Sequence, residues 1–244
     1  MSRARILSIG VDKVTMEEAV TRCLSFLDER APHLVVTPNA EIAYSASKNP
    51  DLAAIINGAD LVVADGSGIL LASRLLRDPV PEKVAGADLA TNLLAALNAR
   101  RRGRIFLFGT RSEVVAEAAR RLQRQYPGVK IVGYRDGFFK PEEVPEIVAF
   151  IREARPDVLF VGLGSPRQEQ WLHKYLPELG VRLGMGVGGT IDVWAGAAAR
   201  APEWIQRLHL EWLFRIVKFG RYGRSLPPLI KFVLVVLWKR MRGR

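Results

Sequence analysis

What this 244-residue chain lacks excludes several kinds of chemistry. It has one cysteine, Cys23, which rules out an intrachain disulfide and a cysteine-based zinc cluster. Cys23 falls within a helical pattern, with no histidine near a matching strand end, and reads as a buried core residue rather than a nucleophile. His33, His173 and His209 form no ligand pair, and Asp-x-Asp occurs nowhere, so neither a metal nor a cofactor is expected. No apolar run is long enough to span a bilayer: residues 229–238 reach about half that length, with Lys231 among them. The apolar stretch from Ile6 to Ile9 is too short for the core of an export signal, so the expected place of work is the cytoplasm. Internal repeats and low-complexity linkers are also missing.

What is present is ordinary globular material, 49% hydrophobic and 25% charged, with an uneven charge. The net charge is +11. Residues 200–244 hold eleven Lys and Arg against Glu203 and Glu211, a balance of +9, which leaves +2 for residues 1–199. The chain therefore divides into a nearly neutral body, 1–199, and a cationic appendage, 200–244.

In the body, apolar runs at 6–11, 33–37, 59–64, 104–109, 130–134, 157–163 and 182–188 predict strands. Helical patterns at 15–30, 40–56 (broken near Asn49-Pro50), 67–77, 87–101, 112–125, 141–154 and 167–176 alternate with them. Thr15 with Glu18 three residues on is a capping box, and Pro141 before Glu142-Glu143 marks a helix start. This alternation predicts an α/β, Rossmann-like domain: a mostly parallel sheet with helices on both faces, plus a short helical C-terminal appendage.

Parallel strands share one carboxyl edge, where ligands bind in open α/β sheets. Three junctions bring reactive groups there. Asp65 ends an apolar run and precedes Gly66-Ser67-Gly68, placing a carboxylate where it can accept a proton from a hydroxyl. Asp65 would also serve as the cap of the next helix, but Ser67 is expected to fill that role by itself, leaving Asp65 for catalysis. Thr37-Pro38-Asn39 presents a hydroxyl and an amide, although Asn39 alone would equally serve as a helix cap. Gly164-Ser165-Pro166-Arg167-Gln168-Glu169 resembles a phosphate loop opening a helix, with Arg167 adding charge. The glycines from Gly184 to Gly189, Gly188 and Gly189 included, resemble a dinucleotide fingerprint only loosely, since the G-x-G-x-x-G spacing is missing.

In the appendage, Leu208, Trp212, Arg215 and Phe219 fall at helical spacing, followed by an expected break at Leu226-Pro227-Pro228 and then the apolar run. Aliphatic and aromatic residues beside many Arg and Lys suit a helix lying in the headgroups of an anionic membrane. An interface with a second copy, giving a homo-oligomer, is the next reading. Nucleic acid is the least favoured, because its binders stack aromatics rather than display aliphatic runs.

Taken together, TPNAEI (37–42), ADLVVADGSGI (59–69), PEKVAGADL (81–89), GSPRQEQW (164–171), MGVGGTIDVWAG (185–196), RAP (200–202) and EWLFR (211–215) resemble the WecG/TagA/CpsF family of bacterial glycosyltransferases, over nearly the whole chain and in order. The resemblance implies inverting transfer of a sugar, often N-acetylmannosamine, from its UDP derivative to an undecaprenyl-diphosphate-linked N-acetylglucosamine. It implies Asp65 as catalytic base, Thr37 and Asn39 lining the site, and Gln168 on the donor. Lys83 stands where the family usually has Arg, keeping the charge but losing the bidentate fork. It implies Arg215, Arg221 and Arg224 for the acceptor diphosphate, and an enzyme peripheral on the inner face of the plasma membrane. A nicotinamide-dependent oxidoreductase and a non-catalytic, membrane-tethered nucleotide-binding scaffold are the alternatives.

Overall fold

The single strand expected over 6–11 is two. In the computed structural model, which describes residues 2–199, 201–202, 205, 211–218 and 222–242, β1 (Arg3–Ile6) and β2 (Ile9–Asp12) pair antiparallel. Leu7, at φ +57°, and Ser8 make the turn. Apolar residues continue through that turn, so periodicity reads the hairpin as one element.

The other predicted strands become β3 (His33–Val36), β4 (Leu61–Val62), β5 (Arg104–Gly109), β6 (Lys130–Arg135), β7 (Val158–Gly162) and β8 (Leu183–Gly186). They form one sheet in the order β4-β3-β8-β7-β5-β6, with every pairing parallel. Its helices are α1 (Met16–Phe26), α2 (Ala40–Ala46), α3 (Pro50–Gly58), α4 (Ser67–Leu75), α5 (Gly86–Ala99), α6 (Ser112–Gln125), α7 (Val144–Ala154), α8 (Arg167–Leu179) and the short α9 (Thr190–Trp194), which no sequence pattern announced. The Thr15–Glu18 capping box is present, and Asn49 caps α3 at the expected break. Pro141 opens a 3-10 turn that leads into α7.

Period-two alternation divides the core. Val158 and Phe160 of β7 pack with α1, α5, α6 and α9; Leu159 and Val161 pack with α2, α3, α4, α7, α8 and the hairpin. On β8 this second face is glycine. A Cβ on Gly184 would stand 2.8 Å from Leu172, and one on Gly186 2.7 Å from Gln168 Nε2, so α8 sits directly on the strand. Two of the loosely fingerprint-like glycines, Gly184 and Gly186, thus serve helix packing.

The hairpin lies against the outer strand β4. Asp12, 3% exposed, accepts from the Val62 N–H at 2.8 Å and pairs with Arg3 at 3.0 Å. The Arg3 guanidinium also donates to the carbonyls of Asn57 and Ala59 at the end of α3.

Beyond the body run α10 (Glu211–Lys218) and α11 (Tyr222–Met241). The break expected at Pro227-Pro228 does not occur. Their missing donors fall within the first two turns of α11, and packing further along continues the helix. Phe232 and Val236 are 2% and 1% exposed and belong to the core cluster that holds α2 and α4. Lys239 Nζ donates to the Leu7 carbonyl at 3.1 Å, adding a polar tie.

Cys23 is fully buried on α1, and burial pushes its thiol up to about 12, with Arg22 opposing weakly. Native protein should therefore react with Ellman's reagent more than about a hundredfold slower than unfolded protein, which should yield one thiol per chain. A fast native reaction would show that α1 opens readily.

Candidate functional site

The carboxyl ends of β4, β3, β8 and β7 lie side by side, and their connections are tied together by backbone. Val63 N donates to Val36 O at 3.0 Å, and Asp65 N to Pro38 O at 3.2 Å, which joins the Asp65 turn to the Thr37-Pro38-Asn39 turn. Val84 N donates to Ala64 O at 3.0 Å, drawing half-buried Lys83 to the same place. Gly86, which opens α5, meets Thr37: a Cβ there would stand 2.7 Å from Thr37 Oγ1. The helices α2, α4, α5 and α8 begin at this edge, presenting N-terminal N–H groups and positive dipole ends.

The details refine the sequence reading. Helix α4 starts at Ser67, with Gly66 in the N-cap position at φ +87°. Ser67 is therefore the first helical residue and not the expected cap, because the sharp turn after Asp65 needs a positive φ that glycine reaches without strain. Asn39 Oδ1 accepts from Ile42 N at 3.0 Å, so Asn39 caps α2 and its amide nitrogen is the part left to meet a ligand. Thr37 is 8% exposed, and its hydroxyl donates to the Gly186 carbonyl at 3.4 Å, tying β3 to β8 rather than projecting into the crevice.

Gln168 lies over Gly186 in the first turn of α8 and is 4% exposed. Its Oε1 accepts from Gly188 N at 3.1 Å, and its Nε2 donates to Glu169 Oε1 at 2.9 Å. Gly164 (φ +75°) is exposed, Gly188 (φ +51°) half-buried and Gly189 exposed, so the loops after β7 and β8 open next to each other. The Arg167 guanidinium lies 5.7 Å from the Phe139 ring, toward the β5 side. Arg215 and Arg224 belong to α10 and α11, but their side chains lie outside the description, as do Leu208, Phe219 and Arg221 entirely.

Sequence reasoning missed a second cluster. The chain leaves β7 toward β8 and β5 toward β6, so the crossovers diverge between β5 and β7, the point where open α/β sheets bind ligands. Thr110, directly after β5, has φ +52°, a strained conformation for a β-branched residue. Its Oγ1 donates to Asp192 Oδ1 at 2.8 Å, and its carbonyl accepts from Gly137 N at 2.9 Å. Thr110 follows a clear strand signal and Asp192 lies within MGVGGTIDVWAG, so strand-end position alone could have nominated both.

Other polar groups and hollows lie elsewhere. His33, 3.1 Å from both Glu29 and Asp60, sits at the amino end of β3, the opposite edge. A groove of about 750 Å³ between α7 and α8 is lined by residues including Val148, Arg152 and Tyr175 and by none from the strand-end set. Among the described residues no group of three or more His, Cys, Asp or Glu is placed to hold a metal ion. No described helix is long and apolar enough to cross a membrane.

Comparison with known proteins agrees with this geometry. The family model described as "Glycosyl transferase WecG/TagA/CpsF family" matches residues 4–244. A protein of Bacillus spizizenii strain W23 named N-acetylglucosaminyldiphosphoundecaprenol N-acetyl-beta-D-mannosaminyltransferase is 36% identical over 213 residues, 87% of this chain and 82% of that protein. Proteins of the same name from Bacillus subtilis strain 168 and Staphylococcus aureus strain NCTC 8325 are each 32% identical. The former match covers 87% of this chain and 82% of the relative, the latter 93% and 90%.

Proposed function

The chain belongs to the WecG/TagA/CpsF family and is a glycosyltransferase, and from that premise we propose that it moves N-acetylmannosamine, or a related sugar, from a UDP-sugar to undecaprenyl-diphosphate-linked N-acetylglucosamine. The step belongs to teichoic acid or surface polysaccharide synthesis. The observation that carries this reading is the joining of the Asp65, Thr37 and Lys83 segments with the Gly164 and Gly188 loops along one sheet edge. The strands β4 and β7, which lead to Asp65 and Gly164, are three strand spacings apart, about 14 Å, which leaves room for a sugar and diphosphate between the turns that follow them.

The reaction is a single displacement. Asp65 removes the proton from the acceptor hydroxyl, and that oxygen forms a bond to the anomeric carbon. The bond from that carbon to the UDP oxygen breaks on the opposite face, inverting the centre, and UDP leaves with the electron pair. Lys83, Arg167 and the N–H groups of the glycine turns and helix starts stabilise its charge without a metal ion. The nucleoside extends toward the β5–β7 crevice, where Asp192 and Thr110 meet the ribose hydroxyls.

The acceptor's lipid stays in the bilayer, so the enzyme works peripherally at the inner face of the plasma membrane. Residues 1–199 perform the chemistry and 200–244 seat it, with the tail arginines Arg215, Arg221 and Arg224 supplying positive charge for the acceptor diphosphate. On α11, Ile230, Val233, Leu234, Leu237, Trp238 and Met241 are 41–79% exposed at helical spacing, with the exposed Arg240 and Arg242 at the end. That stripe supports a helix lying in a headgroup layer.

A panel of UDP-sugars offered with a short-chain lipid-diphosphate N-acetylglucosamine, read by mass spectrometry, tests the reading. One N-acetylated hexose should transfer with inverted anomeric configuration, and excess EDTA should leave the rate within about twofold. No transfer from any UDP-sugar, or titratable NADH binding without UDP binding, would overturn it.

A further inference from the structure

The most deeply buried acid at the sheet's carboxyl edge has no part in the chemistry above. Glu169 is 2% exposed in the first turn of α8, and its Oε2 is closed off from water without a hydrogen-bond partner. Its Oε1 accepts from Gln168 Nε2 at 2.9 Å. Gln168 in turn holds Gly188 N–H through Oε1 at 3.1 Å. A glutamine amide has two ends of opposite character, and only one orientation satisfies both contacts. With an acceptor at Glu169, the amide nitrogen must face it and the oxygen must face Gly188. Remove that acceptor and the amide can turn over, setting an N–H against the Gly188 N–H.

The geometry points to Glu169 as a positioning residue, a buried acceptor that fixes the Gln168 amide and thereby the Gly188-Gly189 turn against which the donor's diphosphate rests. The assignment of that turn to the donor rests on the function proposed above; the clamp itself does not. Burial drives the Glu169 carboxyl above the ordinary carboxylate range, opposed more weakly by Gln168, its own backbone N–H and Ser165. Glutamine at this position would offer Gln168 a carbonyl acceptor in the same place. The relay Glu169–Gln168–Gly188 also joins the loop after β7 to the loop after β8, holding the two ligand-facing turns in a fixed relation.

The test compares Glu169→Met, which fills the space without an acceptor, with Glu169→Gln, which keeps one. Hydrogen exchange at Gly188 and donor KM are read on the full chain. Glu169→Met should speed Gly188 exchange and raise donor KM by about tenfold or more, with kcat changed by less than about threefold. Glu169→Gln should restore both to within about twofold of the parent. Unchanged Gly188 exchange in Glu169→Met, or a Glu169→Gln variant that exchanges as fast as the Met form, overturns the clamp. If Glu169→Met fails to fold, wild-type-like exchange in Glu169→Gln supports the acceptor role and fast exchange rejects it. Should the parent transfer no sugar while Glu169→Met alone loses Gly188 protection, the functional reading fails and the clamp stands.

Discussion

Asp65→Asn is expected to lower kcat for sugar transfer by roughly three orders of magnitude while leaving donor KM within about threefold. The amide keeps the shape of the side chain and loses the ability to take a proton. The acceptor hydroxyl then attacks without a base as its proton becomes acidic. The backbone of the surrounding turn is set by Gly66 at φ +87° and by the Asp65 N–H bond to Pro38 O, and both are kept in the variant. UDP affinity and the melting temperature serve as controls and should stay near the parent values. Steady-state rates with a lipid-diphosphate acceptor check the prediction, and a variant within about tenfold of the parent would remove Asp65 from the role of base.

The second large effect separates the two faces of α11. Phe232→Ala removes a side chain 2% exposed in the core shared with α2 and α4, and should cost about 3–5 kcal/mol of stability. Leu234→Glu with Leu237→Glu alters side chains 59% and 41% exposed, and should change stability by less than about 1 kcal/mol. The double change should instead weaken flotation with anionic liposomes by about a hundredfold, because two apolar anchors are lost and two negative charges face the headgroups. Denaturant melts and flotation on the same samples tell the faces apart. Unchanged flotation accompanied by a shift in oligomeric state would make the stripe an interface between copies.

The contrast also shows what the sequence could disclose. Strands at 104–109 and 130–134 were plain because β-branched and aromatic runs ended in glycine or charge, and they emerge as β5 and β6 with little change. The turn at Leu7 and Ser8 was invisible because Leu7 is no turn former and apolar residues flank Ser8 on both sides, and only hairpin pairing makes φ +57° at Leu7 tolerable. The prolines in α11 signalled a break that tertiary packing overrides. At the site, Asp65, Thr37 and the glycine loops were legible as strand-end residues. The inward turn of Thr37 toward Gly186 was not, because 149 residues separate the two, nor was the Gln168–Glu169 contact, because the lean of the Gln168 side chain depends on Gly188, 20 residues further along. Thr110 and Asp192 meet only after the sheet order is known, since 82 residues separate them.

The two borders of the sheet have a further consequence for how copies of this chain meet one another. An outermost strand normally offers a row of bare amides to any passing extended chain, the first step toward fibrous aggregates. On the side nearest Asp65, the Val62 amide is already taken by Asp12, and the hairpin lies over the strand. On the far side the ladder slips at Ile105–Phe106, and Lys130 and Arg135 flank a strand that twists away from straight pairing. Neither flank is a ready template, so dense packing of copies should yield ordered neighbours or none, and not tangled β-assemblies.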